Sequence, residues 1–354
     1  MRVLVTGGAG FVGSSLCVGL RQRHPDWEVL AFDNLHRRGS ELNLPRLHAH
    51  GASFVHGDVR SRDDLDMVPH IDAIVECSAE PSVMAGRTEG ASYVYETNLG
   101  GAVRCLELAR RDSAQFVFLS TSRVYPLAAL CALRYTEGSE RFLLSDAQAI
   151  PGASAEGVSE DFPLEGARTL YGATKLAAEL MITEYAESFA LHTVINRCGV
   201  IAGPWQMGKV DQGVFTFWLL FHYFGRPLQY IGFGGSGKQV RDLIHVDDVV
   251  DLVDRQLGAP DEWAGVTANV GGGLECSLSL RETTERCREL TGRTVPIEPI
   301  LAPRAGDIPV YVSDCRRLYD LTTWRPRRSA DDILEDTYRW IRDNEALVER
   351  LVAA

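Results

Sequence analysis

The chain has 354 residues, 45% of them hydrophobic, and it carries a formal net charge of −12 at neutral pH. Such a length suits two lobes rather than one small core. The acidic balance excludes a chain-wide nucleic-acid footprint, which would be basic.

The cysteines and the apolar stretches exclude several other classes of protein. Eight cysteines are scattered without a C-x-x-C pair, so we expect neither a zinc site nor a redox dithiol, and no metal. The amino terminus lacks the basic and apolar regions of a secretion signal, and no stretch approaches the ~20 apolar residues of a membrane span. We therefore expect a soluble, cytoplasmic protein without a membrane or nucleic-acid partner.

Short β-branched runs alternate with amphipathic stretches through the first half of the chain. The predicted strands are Arg2–Thr6, Val29–Asp33, Ser53–His56, Ala73–Cys77, Phe116–Ser120 and His192–Asn196. Helical patterns lie between most of them, for example at Phe11–Gln22 and Asn98–Arg111. This rhythm indicates an α/β fold with a parallel, doubly wound sheet that has helices on both faces.

The rhythm breaks after about Asn196, where glycine- and proline-rich stretches separate short elements. This change predicts a smaller carboxyl-terminal lobe. We place residues 1–198 in the first domain, to which 240–262 return, and residues 199–354 in the second. A long polar stretch, Ala128–Glu165, is expected to be an insertion over the functional site, since long loops in compact domains are usually functional or disordered.

The first predicted strand runs directly into a glycine-rich turn that opens a helix. Gly7 and Gly10 allow a tight turn and the close approach of a pyrophosphate, and Gly13 lets the helix pack on the sheet. The amino terminus of the helix, at Phe11 and Val12, offers N–H groups to the phosphates. This context predicts that residues 1–198 are a Rossmann-type domain that binds NAD.

The acidic residue that ends the second predicted strand indicates which dinucleotide binds. Asp33 would accept hydrogen bonds from the adenine ribose and repel a 2′-phosphate, which favours NAD over NADP. Arg37 and Arg38 weaken that preference, unless they form only a solvated turn. Further contacts to the cofactor are expected from Asn34, Asp58 and Val59.

A tyrosine and a lysine lie four residues apart on one face of a predicted helix. A phenol with a pKa near 10 is a poor base at neutral pH, and lowering that pKa by three units requires roughly 4 kcal/mol. An adjacent ammonium and the cationic nicotinamide ring could supply this. We therefore predict that Tyr171 is the catalytic base, that Lys175 activates it, and that the Thr121 hydroxyl holds the substrate oxygen. Tyr171 and Lys175 are also expected to contact NAD; the alternative is that Tyr171 only packs in the core.

Together these motifs resemble the extended short-chain dehydrogenase/reductases that act on nucleotide sugars, over nearly the whole chain. The resemblance rests on the glycine turn, Asn98 in TNLGG, Tyr171 with Lys175, Gly203-Pro204, RDLIHVDD and PRAGD. Within that group the chain most resembles CDP-paratose (CDP-tyvelose) 2-epimerases, through FDNLHRRG, QMGKVDQGVFTFW, and GKQVRDLIHVDD followed by NVGGG. The resemblance implies NAD-dependent epimerisation of a nucleotide-diphosphate sugar through a transient keto-sugar, by a homodimer or homotetramer.

The resemblance also implies roles for individual side chains. Arg241 and Arg304 would clamp the substrate diphosphate through charge-assisted hydrogen bonds. The alternative for each arginine is an ion pair with the neighbouring Asp242 or Asp307. Asn98 would contact NAD, and the further substrate contacts would be Ser122, Arg123, Asp211 and Gln212.

Some positions depart from the pattern of the family. Glu76 stands where a histidine is common, and Glu80 stands where a glutamine is common. Pro126, Val200 and Ala202 also differ from the usual residues. These departures leave the sugar and the nucleotide base open, but not the cofactor.

Three other functions remain alternatives. A UDP-sugar 4-epimerase would use the same tyrosine and lysine but oxidise C4 instead of C2. A nucleotide-sugar 4,6-dehydratase would carry an Asp-Glu pair after the strand-end threonine, where this chain has Ser122-Arg123. A catalytically silent NAD-binding scaffold or sensor is the third, because a fold alone does not imply chemistry.

Overall fold

A computed structural model describes residues 1–87, 90–207, 212–302 and 304–352. In these ranges the strands are, in chain order, β1 (Arg2–Thr6), β2 (Glu28–Asp33), β3 (Ser53–His56), β4 (Ala73–Glu76), β5 (Gln115–Thr121), β6 (Tyr135–Glu137), β7 (Phe142–Leu144), β8 (Ala153–Ser154), β9 (Gly157–Val158), β10 (Thr193–Cys198), β11 (Val200–Ala202), β12 (Leu228–Ile231), β13 (Val240–His245), β14 (Val266–Val270), β15 (Ser277–Ser279), β16 (Ile297–Ile300) and β17 (Val310–Tyr311).

The α-helices in the same ranges are α1 (Phe11–Arg23), α2 (Leu44–Ala49), α3 (Arg62–Asp66), α4 (Ser92–Tyr95), α5 (Gly101–Asp112), α6 (Leu127–Cys131), α7 (Leu170–Phe189), α8 (Val214–Tyr223), α9 (Val246–Gly258), α10 (Pro260–Trp263), α11 (Leu280–Thr291), α12 (Arg316–Leu321), α13 (Ala330–Asp343) and α14 (Glu345–Val352). A π-helical turn spans Glu96–Gly100, and 3₁₀ turns span Ser40–Asn43, Ser122–Val124 and Phe233–Gly235. None of the helices described is both long enough and apolar enough to cross a membrane.

The central sheet has the strand order β14-β10-β5-β4-β1-β2-β3. Pairing is parallel between β3 and β2, β2 and β1, β1 and β4, and β4 and β5. Strands β4 and β5 are buried throughout, as expected for a sheet covered on both faces. The strand order reverses between β1 and β4, and ligands of such sheets bind outside the carboxyl ends of the strands at this point. The predicted α/β, doubly wound class is confirmed.

The chain divides into two compact units. The first comprises Met1–Val124, Leu170–Arg197 and Val249–Ala268, and the second comprises Tyr125–Thr169, Cys198–Asp248 and Asn269–Ala354. The predicted boundaries therefore need correction at two places. Tyr125–Thr169 belongs to the second unit, and the segment that returns to the first unit is Val249–Ala268 instead of 240–262.

Backbone pairing explains both corrections. The N–H of Phe142 donates to the carbonyl oxygen of Lys238, and the N–H of Val158 donates to that of Val312, so the 125–169 segment is bound to residues that flank β13 and β17 in its own unit. This segment is also not one long loop, because it contains α6 and the hairpins β6–β7 and β8–β9. Residues 240–245 form β13, which pairs with β11, β15 and β17 in the second unit.

Each unit has its own hydrophobic core. In the first, side chains of the sheet such as Leu4, Ile74 and Phe116 pack against Leu106 of α5 and Ile182 of α7. Burying one such side chain fully is worth about 1.5–3 kcal/mol. In the second unit, α8, α11 and α13 enclose a core whose members include Trp218, Leu219, Leu280, Cys287, Trp340 and Ile341.

Candidate cofactor and catalytic site

Three glycines close the turn between β1 and α1. Gly7 has a φ of +61°, and a Cβ atom there would lie 3.0 Å from the carbonyl oxygen of Cys77. The N–H of Gly10 donates to the carbonyl oxygen of Gly7 at 2.9 Å. A Cβ atom at Gly13 would lie 2.1 Å from that same oxygen. The turn therefore lies so close to the first turn of α1 that a side chain at Gly13 has no room.

The first turn of α1 has the properties of an anion site. Gly10 caps the helix without a side chain, and no acidic side chain lies in the first turn. The N–H groups of Phe11, Val12 and Gly13 have no acceptor within the helix, because the first turn of any α-helix leaves its donors unpaired. The helix dipole adds positive potential at the same place. Together with the glycine turn, this end of α1 fits the pyrophosphate of a dinucleotide.

Asp33, at the end of β2, is held against the glycine turn. Its carboxylate accepts hydrogen bonds from the N–H of Ala9 at 3.1 Å and from the N–H of Leu35 at 2.8 Å. Burial raises the pKa of Asp33, whereas these backbone donors oppose the rise. A carboxylate fixed beside the glycine turn fits the adenine-ribose hydroxyls of NAD. Arg37 lies partly buried in the loop that follows and has contacts of its own.

Asp58 is already engaged by neighbouring side chains of the protein. Its Oδ2 accepts hydrogen bonds from Nδ2 of Asn34 at 2.9 Å and from Nη2 of Arg60 at 2.6 Å. The Arg60 guanidinium holds the pKa of Asp58 well below its usual range and also lies over the ring of Tyr93, 5.0 Å from its centroid. Sequence reasoning missed Arg60, although it stands only two positions after Asp58. Val59, between them, is buried.

Asn98 connects the loop after β4 to α7. Its Oδ1 accepts the N–H of Glu80 at 2.8 Å, and its Nδ2 donates to the carbonyl oxygen of Glu80 at 3.2 Å and to Oγ1 of Thr174 at 3.1 Å. Asn98 lies in the π-helical turn Glu96–Gly100, and such turns are frequent at functional sites. The side chain expected to contact NAD thus also fixes a loop at the carboxyl end of the sheet.

The three predicted catalytic residues lie in the first unit. Tyr171 and Lys175 lie one turn apart on α7, which packs against β5 and against the 3₁₀ turn Ser122–Val124. Thr121 ends β5, and its Oγ1 accepts the N–H of Arg123 at 3.2 Å. Tyr171 is partly exposed, whereas Lys175 is only 1% exposed.

Two buried carboxylates also belong to this site, although the sequence did not indicate it. One is part of α7, and the other lies beside Lys175. Glu179 of α7 accepts Nη2 of Arg197 at 2.7 Å and the Ser120 hydroxyl at 2.5 Å. Removing one partner of such a buried pair typically costs about 3–5 kcal/mol, so this network fixes α7 to the sheet. Glu76, noted above only as a departure, places its Oε2 3.6 Å from Nζ of Lys175.

Arg241, on β13 of the second unit, is bound to partners within the protein. Its guanidinium donates to Oδ1 of Asp307 at 2.8 Å and to the carbonyl oxygens of Val240 and Ile308 at 2.7 Å. The sequence left open an ion pair between this arginine and the adjacent Asp242, whereas the ion pair that is present joins it to Asp307. A phosphate would have to share or replace it.

The other predicted substrate residues of this unit are Arg304, Gln212 and Asp211. Arg304 is partly buried and has contacts of its own, and its carbonyl oxygen accepts the N–H of Asp307. The Oε1 atom of Gln212 is buried without a hydrogen-bond partner among the described residues. Asp211 lies outside the described residues. In the same ranges, no group of three or more His, Cys, Asp or Glu side chains could hold a metal ion.

Comparison with known proteins places this geometry in context. The NAD dependent epimerase/dehydratase family matches residues 3–271. CDP-paratose 2-epimerase of Salmonella typhi is 29% identical over 351 residues, which cover 96% of this chain and 99% of that protein. dTDP-glucose 4,6-dehydratase of Streptomyces niveus is 28% identical, covering 99% of this chain and 96% of that protein.

Among solved structures, UDP-glucose-4-epimerase from Stenotrophomonas maltophila, with bound NAD and formylated UDP-arabinopyranose, superposes with a TM-score of 0.79. It is 25% identical, and the match covers 98% of this chain and 99% of that one. The glycine turn, the open end of α1 and the fixed Asp33 carboxylate fit the cofactor of that relative. The chain belongs to the NAD dependent epimerase/dehydratase family, and its cofactor is NAD.

Proposed function

We propose that the chain epimerises a nucleotide-activated sugar by oxidising one carbinol to a ketone and reducing it again from the other face. We propose that this reaction resembles the one named for CDP-paratose 2-epimerase, to which the chain is 29% identical. The proposal depends on one observation: Tyr171 and Lys175 share one face of α7 beside the Thr121 strand end, in the same unit as the glycine turn. NAD, held by the glycine turn, the amino terminus of α1 and Asp33, would supply the acceptor and donor of the sugar's hydride.

The side chains of the chain then have defined tasks. Tyr171 removes the proton of the sugar hydroxyl during oxidation and returns it during reduction, so it needs access to the substrate, and it is partly exposed. Lys175 needs no substrate contact to stabilise the phenolate, and it is buried. The Thr121 hydroxyl holds the substrate oxygen at the end of β5. A positioned general base of this kind contributes about 10²–10⁴-fold to the rate.

The residues after Thr121 favour epimerisation over dehydration. Elimination of water needs an acid and a base beside the sugar, and the dehydratases that this chain resembles carry an Asp-Glu pair at that position. Here the 3₁₀ turn holds Ser122 and Arg123, which provide no carboxylate. We assign both to substrate contacts instead. A UDP-sugar 4-epimerase remains the second candidate, because the match to a UDP-glucose-4-epimerase spans 98% of this chain.

The diphosphate of the substrate needs cations to bind it. We assign this role to Arg241 and Arg304, with Gln212 and Asp211 as further contacts to the substrate. Among the described residues Oε1 of Gln212 is a buried acceptor without a donor, which supports a polar ligand there because such an acceptor costs free energy. Binding of the diphosphate to Arg241 then competes with Asp307.

The test is to incubate the protein with a panel of CDP-, UDP-, GDP- and dTDP-sugars, without added NAD, in D₂O, and to analyse the products by NMR. An epimerase of this type returns the same hydride, so the inverted carbon keeps its protium. Deuterium at that carbon would indicate proton abstraction from carbon, and a deoxy-keto sugar would indicate a dehydratase. Tyr171→Phe is the control, and no turnover of any sugar would refute the proposal.

A further inference from the structure

Glu76 is a buried acid at the point where the strand order reverses. It is the last residue of β4, opposite Thr6 of β1 and opposite Phe118 of β5. Its side chain is only 1% exposed. An ionised carboxylate in such a place is costly unless a cation and hydrogen bonds compensate it. Its partners therefore decide what it does.

The two oxygens of the Glu76 carboxylate have different surroundings. Oε1 accepts hydrogen bonds from the Ser78 hydroxyl and, at 3.5 Å, from the Thr6 hydroxyl. Oε2 has no hydrogen-bond partner among the described residues and lies 3.6 Å from Nζ of Lys175. That nitrogen also lies 3.8 Å from the centroid of the Phe118 ring. The lysine head group thus lies between a carboxylate and an aromatic face, both of which attract a cation.

We propose that Glu76 is a positioning residue, which keeps the Lys175 ammonium charged and fixed one helical turn from Tyr171. This inference rests on the proposed function, in which Lys175 stabilises the Tyr171 phenolate. A buried ammonium needs a nearby negative charge to compensate for the water it has lost, and Oε2 of Glu76, 3.6 Å from Nζ, supplies that charge. A neutral lysine would leave the phenolate without its cation.

Two other titratable side chains near this site, Cys105 and Glu179, do not take the place of Glu76 as the partner of Lys175. The nearby thiol on α5, that of Cys105, stays neutral because burial, and then Glu76 itself, raise its pKa well above the ordinary value. The buried acid of α7, Glu179, forms an ion pair with Arg197 instead. Burial raises the pKa of Glu76, and Lys175 and then Ser78 oppose that rise.

The composition of the chain allows a direct test. The chain contains three lysines, Lys175, Lys209 and Lys238, so protein labelled with ¹³C at the lysine ε-carbon gives few signals. Single Lys→Arg variants at 209 and 238 assign the third signal to Lys175. Following that signal against pH shows where the ammonium loses its proton, and this measurement requires no turnover.

We expect the Lys175 signal of Glu76→Gln to titrate at a pH at least about one unit lower than in the wild type. The variant removes the carboxylate whose Oε2 lies 3.6 Å from Nζ of Lys175, and an ammonium without that partner loses its proton more easily. Glu28→Gln is the matched control. It removes the same charge from another strand of the sheet, where Glu28 forms an exposed ion pair with Arg2, and should leave the signal unchanged.

The alkaline limb of kcat should move to lower pH in parallel in Glu76→Gln, with KM for the nucleotide sugar unchanged. An unchanged Lys175 titration overturns the pairing, and a shifted titration with an unchanged kcat profile overturns the positioning role. If Glu76→Gln does not fold, Glu76→Asp withdraws the carboxylate by one methylene, and the Lys175 signal should then move down by less. A wild-type protein that turns over no nucleotide sugar refutes the proposed function instead, since the NMR titration is independent of activity.

Discussion

Replacing Gly13 by alanine tests whether the glycine turn forms the cofactor site. The new Cβ atom would lie 2.1 Å from the carbonyl oxygen of Gly7, 2.8 Å from its carbonyl carbon and 2.9 Å from Cα of Gly8. Non-bonded heavy atoms prefer about 3.5–4.0 Å, so the contact with the oxygen must open by more than about 1 Å. All three atoms are backbone, so the turn itself has to move away from α1.

Forced overpacking of this kind costs about 1–3 kcal/mol of folding free energy. Because the turn that moves is the one expected to hold the pyrophosphate, we expect the Kd for NAD to rise at least about tenfold, at about 1.4 kcal/mol per decade. The measurements are calorimetric titration of cofactor-stripped protein with NAD and urea denaturation. Gly258→Ala is the control, because a Cβ atom at this last residue of α9 has no atom of the described residues within 4 Å outside its chain neighbours and its own helix backbone. A Gly13→Ala protein that binds NAD and unfolds like Gly258→Ala would refute the reasoning.

Three further results are expected. Tyr171→Phe should lower kcat at least about a hundredfold and leave the Kd for NAD nearly unchanged, since only the phenolic oxygen is lost; substantial residual turnover would assign the base elsewhere, with Glu80 the next candidate. Protein purified without added cofactor should release NAD on denaturation, because a closed redox cycle regenerates it; an extract without nicotinamide would contradict that cycle. Arg241→Ala should raise the Kd for the nucleotide sugar ten- to a hundredfold, at ~1.5–3 kcal/mol per charge-assisted bond, whereas Asp307→Asn, which frees the same guanidinium, should not weaken binding in calorimetric titration.

The strands of the first unit were predictable because each is a local run of apolar and β-branched residues. Their ends were less predictable, since these depend on the neighbouring strand. Glu76 is the last paired residue of β4 because its partners are Thr6 and Phe118, so Cys77 falls outside the strand. Strand β5, which lies between β4 and β10, continues to Thr121, one residue beyond its predicted end. The end of a strand thus depends on its neighbours in the sheet as well as on the local sequence.

The polar contacts of the site could not be predicted in the same way. Asp58 was expected to contact the cofactor from its position after a strand, but its pairing with Asn34 and Arg60 depends on how two loops meet. The sequence shows Glu76 as an unusual residue. Its contact with Lys175 could not be predicted, because the two residues lie on a strand and a helix that are far apart along the chain. The sequence indicates which chemical groups are present at the carboxyl end of the sheet, whereas their pairing follows from the register of the strands and the packing of α7.

Arg241 shows how the structure changes an expectation about stability. If Arg241 served only to bind the substrate, its loss would leave the melting temperature unchanged. The ion pair with Asp307, 66 positions away, and the hydrogen bond to the carbonyl oxygen of Ile308 connect β13 to the segment before β17. Arg241→Ala should therefore also lower the free energy of unfolding, by about 1–3 kcal/mol. Denaturation in the absence of substrate separates this effect from the effect on affinity.

The charge of the whole chain makes the amino terminus of α1 important for cofactor binding. A protein with a net charge of −12 repels an anionic dinucleotide at long range, so the attraction has to come from local groups. Other helices compensate their own amino termini: α11 and α13 have capping boxes, with Glu282 and Asp332 in the first turn. The first turn of α1 has no such acid, and its cap is a glycine. No acid of its own first turn therefore neutralises the N–H groups and the positive dipole end of α1, and we expect the pyrophosphate of NAD to supply there the negative charge that Glu282 and Asp332 supply elsewhere.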